Sequence, residues 1–504
     1  MRYFSKLTLI LPTLALLVGI PLQQAQPQEV YPYPQRQQEI GRTIAELQRQ
    51  QAQQTPPYSQ APAQMGKFPH RREPYPVDSG IHTGRAPVST VEFRRVVRVP
   101  GVPWLRLYFS DYNLGERSFI TITSLKDGGY QRHDTKSLPQ WGNASAYFNG
   151  DAVRIELHVA PGEENIFFRI EEILVGEWLS QRRYPVPTSI CDGSDDRVAS
   201  ADDRVARLSM VVAGNIGSVC TAWLVSNGAM LTAGHCVDWD PDGSGPGLPD
   251  GVLDLDADDV VEFNVPASLA DGTPQFANPN DQYPIDLTSV VWNFDGEGQG
   301  LGKDWAVFAA LANTNTGLLP QHAQDAFFRM TRERPSVGDT VRVTGCGADG
   351  GVDNFTQQTD TGTYEGESSL DAAVWHEHRV DTQGGNSGSP IIWEAHPGFT
   401  IGIHTNGGCT DTGGANAGTS FEHDPLEVAL QGFHGPNTVY VDRVSLAPVE
   451  DGTIFQPYDT VLEAANGVPW GGIVSIVKGS YNETLVITRA MTLIAPVGHV
   501  TIGQ

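Results

Sequence analysis

Of all stretches in this chain, Gly385-Asn386-Ser387-Gly388-Ser389-Pro390 most narrows what it can fold into. Glycines on both sides of one serine permit a turn too tight for most side chains, and such a turn lifts a hydroxyl clear of the backbone. A serine hydroxyl is a poor nucleophile at neutral pH, so the turn needs a base and a third group to orient that base. Both lie upstream. Thr232-Ala233-Gly234-His235-Cys236 offers an imidazole, and Asp304-Trp305-Ala306-Val307 offers a carboxylate ahead of a strand-like run. His235, Asp304 and Ser387 are therefore the candidate base, orienting acid and nucleophile. Gly385 and Ser387 are the candidate backbone donors to a developing oxyanion, in a turn that a side chain at 385 would obstruct. Taken singly, each motif has a plainer explanation: a flexible turn, a strand-capping Asp, a core His. Their joint occurrence in this order is what carries weight.

A chain of 504 residues exceeds one ordinary core and leaves room for several domains. Short alternating runs bounded by Gly, Pro, Asn and Asp outnumber helical patterns, so the expected class is mainly β. Residues 1–25 pair Arg2 and Lys6 with an apolar run from Leu7 to Ile20 and a polar exit near Ala25. That is the layout of a secretory signal peptide, and the run is short for a membrane span. The expected location is secreted or periplasmic, with no membrane association once the signal is removed. A net charge of −26 argues against nucleic acid and anionic membranes as partners. Five cysteines in an exported chain imply disulfides with one sulfur left over. Cys220 and Cys236 bracket a strand pair just before His235 and form the expected bridge. Among Cys191, Cys346 and Cys409 the spacing does not choose.

Residues 26–80 are rich in Gln and Pro, with only Ile40, Ile44 and Leu47 in helical register, and are expected to be disordered. Residues 85–180 carry strand-like runs at Val91–Val99, Trp104–Phe109, Phe119–Ile122, Ala152–Val159 and Ile166–Ile170. They read as a β-sandwich and, from their position, as a pro-domain. Trp141, Tyr147 and Phe148 are open to two readings, a sugar-stacking surface or core. The catalytic candidates fall within 189–434, which ends in a helical stretch at Pro425–Leu430. Residues 436–504 hold brief runs at Ile473–Val477, Thr484–Ile487, Met491–Ala495 and Val500–Ile502. Within them, Val468-Pro469-Trp470-Gly471-Gly472 and Lys478-Gly479-Ser480-Tyr481 resemble a coil of a parallel β-helix, and a small strand-rich appendage is equally expected.

The 189–434 region resembles the trypsin-like serine proteases, and within them the bacterial glutamyl endopeptidases. The resemblance rests on Gly193-Ser194-Asp195-Asp196-Arg197, Ala233-Gly234-His235-Cys236, Phe263-Asn264-Val265-Pro266, Asp381-Thr382-Gln383-Gly384-Gly385-Asn386-Ser387-Gly388-Ser389-Pro390 and Ile401-Gly402-Ile403-His404-Thr405-Asn406-Gly407-Gly408. It implies a chymotrypsin-like double β-barrel with the site in the cleft between barrels, and peptide-bond hydrolysis through an acyl-enzyme. It places Thr382 and His404 in the pocket for a glutamate or aspartate side chain, where a protonated His404 would strengthen the contact. It implies protein or peptide substrates with acidic residues, a monomeric enzyme and no required cofactor. It also puts maturation near Thr188 or Ser189, with the new amine close to the pocket. Asn386 stands where pancreatic-type relatives carry the acid that pairs with that amine, so activation by such an ion pair cannot operate here. Cys191 departs from the pattern, and a Cys191–Cys409 bridge beside the pocket, leaving Cys346 as a buried thiol, is one option. Two alternatives stay open: broad or apolar specificity, and an adhesion or binding protein with an inert protease fold.

Asp238, Asp240 and Asp242 alternate ahead of Gly243 like the start of a calcium loop. Pro249 at the twelfth position rules out an EF-hand, leaving a noncanonical calcium site or a solvated acidic insertion. His376 and His378 alternate on a presumed strand with no third ligand at zinc spacing.

Overall fold

The computed structural model describes residue 42 and residues 65–181, 188–212, 216–239, 251–294, 300–370 and 373–503. The signal peptide, most of the Gln/Pro-rich stretch, Asp240 and Asp242 lie outside them. No helix among the described residues is long and apolar enough to cross a membrane.

Strands dominate because apolar residues recur every second position. In Ala152–Val159, Val153, Ile155, Leu157 and Val159 are all fully buried. This strand lies between Thr90–Arg98 and Phe119–Ser124, with Tyr130–His133 on the far edge. Facing it is a sheet of Gly66–Asp78, Phe167–Gly176, Trp104–Asn113 and Phe148–Asn149. Leu105, Leu107, Phe168 and Ile170 meet the first sheet in one core, so the layers form a β-sandwich. Trp141, Tyr147 and Phe148 are all buried, which settles them as core and not as a sugar-stacking surface.

Two closed six-stranded antiparallel barrels follow. Val205–Val212, Val260–Glu262, Gln282–Asn293, Trp305–Ala310, Met230–Thr232 and Ile216–Leu224 pair in that order and return to the first. Gln358–Leu370, Thr340–Gly345, Pro390–Trp393, Phe399–Asn406, Asn416–Ser420 and Ala373–His378 close a second ring in the same way. Closure leaves no free edge within either ring. Trp223, Leu231, Trp305 and Val307 of the first barrel share a core with Ile392 and Ile403 of the second, which fixes how the two barrels meet.

The N-terminal stretch differs from expectation at its end. Gly66–Asp78, inside the segment read as disordered, is one strand serving two sheets. Gly66–Pro69 pair with Val219–Ile216 of the first barrel, and His70–Asp78 pair with Gly176–Arg169 of the sandwich. Phe68 packs so closely on Gly217 that a Cβ there would lie 2.2 Å from its ring. Phe276, from the protease segment, enters the sandwich core, stacking on Tyr147 at 4.0 Å between centroids and edge-on to Trp104 at 4.9 Å. Asn149 brackets the Phe276 backbone with bonds of 2.8 and 2.9 Å, and Gln282 does the same for Tyr147 at 2.9 and 2.9 Å. Sandwich and first barrel thus share one hydrophobic cluster.

After the second barrel, helix Asp424–Gln431 leads to parallel strands at Thr438–Val441, Ile473–Ile476 and Thr492–Ile494, with Val439, Val474 and Leu493 in register. Gly479–Tyr481 pairs in parallel with Val500–Ile502. These are stacked solenoid-like coils. The strand expected at Thr484–Ile487 is absent, and Gly479–Tyr481 takes its place. Tyr481 is buried and its hydroxyl donates to Val477 O at 2.9 Å, whereas Val486 and Ile487 point to solvent.

Candidate active site

His235 sits in a single 3-10 turn, Gly234–Cys236, directly after the strand Met230–Thr232. Gly234 is needed there, since a Cβ would lie 2.2 Å from Asn293 O. A disulfide from Cys236 to Cys220 on the neighbouring strand pins the turn. Both sulfurs are consumed in that bond, so Cys220, His235 and Cys236 do not make a metal site despite their proximity. Asp304 enters from the head of Trp305–Ala310, the strand beside Met230–Thr232. Its Oδ2 lies 2.5 Å from His235 Nδ1, and its Oδ1 accepts the His235 backbone N–H at 2.9 Å. Asp304 is fully buried. Thr419 of the second barrel fastens its backbone, accepting from Asp304 N at 3.2 Å and donating to Asp304 O at 2.8 Å. The carboxylate holds the imidazole proton on Nδ1, which leaves Nε2 with its lone pair. That Nε2 is buried and has no hydrogen-bond partner among the described residues.

The turn bearing Ser387 is tied to the same strands. Thr221 N–H donates to Ser387 O at 2.9 Å, and Thr221 Oγ1 donates to Gly385 O at 2.9 Å. Trp223 Nε1 donates to Gly388 O at 2.9 Å. Cys236 Sγ lies 3.9 Å from Ser387 O, so the serine's backbone abuts the turn that carries the imidazole. Gly385 has φ +105° and Gly388 φ +88°, both in the region that favours glycine. A Cβ at Gly385 would lie 2.5 Å from Cys346 O, and one at Gly388 would lie 2.3 Å from Thr221 O. The turns that carry His235 and Ser387 are therefore adjacent where the two barrels meet, with Asp304 bonded to His235. Thr221 and Trp223, which hold the turn from below, carry no motif that would have flagged them.

Thr382 and His404 lie alongside. His404 N–H donates to Ser389 O at 2.8 Å and its carbonyl accepts from Gly388 N at 2.8 Å, so the strand Phe399–Asn406 is bolted to the serine turn. Asn416 Nδ2 donates to Thr382 Oγ1 at 3.1 Å. Burial, with His235 nearby, lowers the His404 pKa to about 3, so the protonated His404 expected from sequence is not the resting state. Neutral His404 still presents a donor. Val380 N–H donates to His378 Nδ1 at 3.3 Å, which puts the proton of neutral His378 on Nε2. That Nε2 faces His404 Nδ1 at 3.3 Å, and the His404 proton is thereby placed on Nε2, buried and without a partner among the described residues. Burial and the two neighbouring histidines hold His378 well below its ordinary pKa. His376 turns away to Tyr364 at 2.9 Å and Ile401 O at 3.0 Å, so the two alternating histidines do not form a metal pair.

Cys191 is joined to Cys409, and Cys346 remains a buried thiol whose pKa burial pushes up to about 12. Thr188–Ser189 pairs antiparallel with Thr382–Gln383. Ser189 Oγ accepts from Gly408 N at 2.9 Å and Cys409 N at 3.0 Å. Asp238, the one calcium candidate described, is buried and accepts from Trp292 Nε1 at 3.0 Å.

The chain matches no protein-family model and no curated protein. Among solved structures it is similar to a thermostable serine protease, AL20, from an extremophilic microorganism. The identity is 16%, covering 44% of this chain and 92% of that one, with a TM-score of 0.32. A Glu endopeptidase in complex with MPD matches at 19% identity over 47% of this chain and 95% of that one, with a TM-score of 0.32. An inactivated protease paralogue of the scabies mite matches at 15% identity over 44% and 91%, with a TM-score of 0.31.

Proposed function

We propose that the chain is an exported serine endopeptidase that cuts after glutamate, and to a lesser extent aspartate, in proteins or peptides. The observation that carries this is the buried Asp304–His235 pair, whose Nε2 makes no hydrogen bond among the described residues, on a turn whose next residue, Cys236, lies 3.9 Å from the Ser387 carbonyl. In the proposed reaction Ser387 Oγ attacks the scissile carbonyl carbon as its proton passes to His235 Nε2. Asp304 stabilises the imidazolium without taking its proton. The carbonyl oxygen, now negative, is held by the N–H groups of Gly385 and Ser387. His235 then protonates the departing amine, and water repeats the sequence to free Ser387 from the acyl group. Thr382 Oγ1 and His404 Nε2 give a neutral donor pair for the glutamate carboxylate, a charge-assisted contact that does not require a charged imidazole.

Cutting near Thr188 or Ser189 would free an amine beside Thr382. Both disulfides lie after that point, so the N-terminal module would be held without a covalent link, by its shared strand, its shared core and hydrogen bonds such as those of Asn149 and Gln282. In this proposal the sandwich stays attached as a retained part and is not a discarded pro-domain. Profiling a peptide library with the full chain and with Ser387→Ala tests the reading. The expected result is cleavage after Glu that vanishes in the variant, together with labelling of Ser387 by a fluorophosphonate. Activity surviving in the purified variant, or no labelling of the native serine, would rule the assignment out.

A further inference from the structure

We propose that Arg197, acting with Asp195, is the positioning residue for the turn carrying Ser387, setting its oxyanion donors from within the chain rather than from a new terminus. This rests on Ser387 being the nucleophile.

The Arg197 side chain is 1% exposed, and a guanidinium is costly to bury unless its N–H groups are used. Its Nε and Nη2 clasp Asp195 at 2.9 and 2.6 Å, and Nη2 also donates to Ala348 O at 2.8 Å. Nη1 points at Asn386 Oδ1, 3.5 Å away. Each partner leads to the serine turn. Asp195 Oδ2 accepts from Gln383 Nε2 at 2.8 Å, and Ala348 N–H donates to Gly384 O at 2.8 Å. Asn386 Oδ1 also accepts from Gln383 N at 3.0 Å. Residues 383, 384 and 386 are thus all fastened to one cation, and Gly385 is held between them against Cys346 O. Gly347 leaves room for this approach, since a Cβ there would lie 2.1 Å from Asn386 Oδ1 and 2.5 Å from Arg197 Nη1.

The segment is anchored on its other side as well. Asp381 accepts from Cys191 N at 2.7 Å and from Asp196 N at 3.1 Å, and Cys191 is bonded to Cys409. Everything in this clamp follows residue 190, so a cut near Thr188 or Ser189 leaves it whole. Oxyanion donors work only if already aimed when charge develops, and a turn of glycines cannot aim itself. Arg197 supplies the rigidity that the Asn at 386 cannot draw from an ion pair with an amine.

The test uses the full chain with Arg197→Met, which keeps length but removes charge and donors, and Arg197→Ala. Circular dichroism at the assay temperature and both disulfides should show the variants folded, with the melting temperature lowered by the lost pair. Loss of aim should lower kcat by about 100-fold, as loss of an oxyanion donor does, with KM little changed. The rate of fluorophosphonate labelling should fall in parallel, because phosphonylation uses the same donors. Added guanidinium ion should restore part of kcat in Arg197→Ala. Unchanged kcat in a folded variant, or a defect confined to KM, would overturn the proposal. If neither arginine variant folds, Asp195→Asn carries the same expectation in milder form, and unchanged kcat there would overturn it. Native protein inert to the fluorophosphonate would instead sink the nucleophile assignment, so the two failures are told apart.

Discussion

On the proposed pocket and triad assignments, replacing His378 by leucine should cost the preference for glutamate over glutamine while leaving His235, Asp304 and Ser387 untouched. In the native chain the Val380 N–H occupies His378 Nδ1, so the His378 proton points at His404 Nδ1 and the His404 proton points away from it. Leucine removes the donor. His404 is then free to carry its proton on Nδ1 and to face the substrate with the bare lone pair of Nε2, which repels a carboxylate and accepts from an amide. The substrate carboxylate thereby forfeits one charge-assisted hydrogen bond, worth about 1.5–3 kcal/mol. That corresponds to a fall of about 10- to 150-fold in the Glu/Gln ratio of kcat/KM, at about 1.4 kcal/mol per tenfold. The assay compares paired peptides that differ only in Glu or Gln before the scissile bond. Leucine also strands the buried Val380 N–H, so stability should drop by about 1–3 kcal/mol in the same variant. A Glu/Gln ratio unchanged in folded His378→Leu would refute the proton relay and the donor it assigns to His404.

Acid should destabilise the fold as the histidines of the unfolded chain take up protons. Burial lowers His70 and His376 to about 4 and His133, His404 and His423 to about 3, all from near 6.5. The folded state keeps them neutral while the unfolded chain binds protons below pH 6.5. Stability is therefore full above that pH and falls as pH drops toward the folded values, by up to about 2.7 kcal/mol for each by pH 4.5. Melting temperatures flat from pH 7 to 4.5 would contradict this. Phe276→Ala should remove the ring clamped between Tyr147 and Trp104, at a cost of about 3–5 kcal/mol. With a specific protease site placed between residues 182 and 187 and cut, the native fragments should co-elute on gel filtration and those of the variant should separate. Separation of the native fragments would show that the shared core does not hold the sandwich.

The residues that do chemistry stood out because chemistry restricts the local choice. Few side chains could replace Gly385 without striking Cys346 O, and the bracketing of His235 by cysteines is a local pattern. The alternating runs that became strands followed from period-two burial alone. Gly66–Asp78 was hidden because Gln and Pro dominate the stretch around it, and its alternation becomes meaningful only when two sheets claim its halves. His378 was visible as one of two alternating histidines, but its partner lies 26 residues away on another strand.

Composition and motif alone determined that this chain is mainly β and that His235, Asp304 and Ser387 are its candidate triad, because turn chemistry and nucleophile activation act over a few bonds. Tertiary structure decided the rest: that Cys191 meets Cys409, that His404 rests neutral with its proton directed by His378, and that Arg197 lies under the serine turn. Those outcomes depend on which distant strands become neighbours and on how much water is excluded between them, quantities that belong to the packed chain and to no single stretch of it.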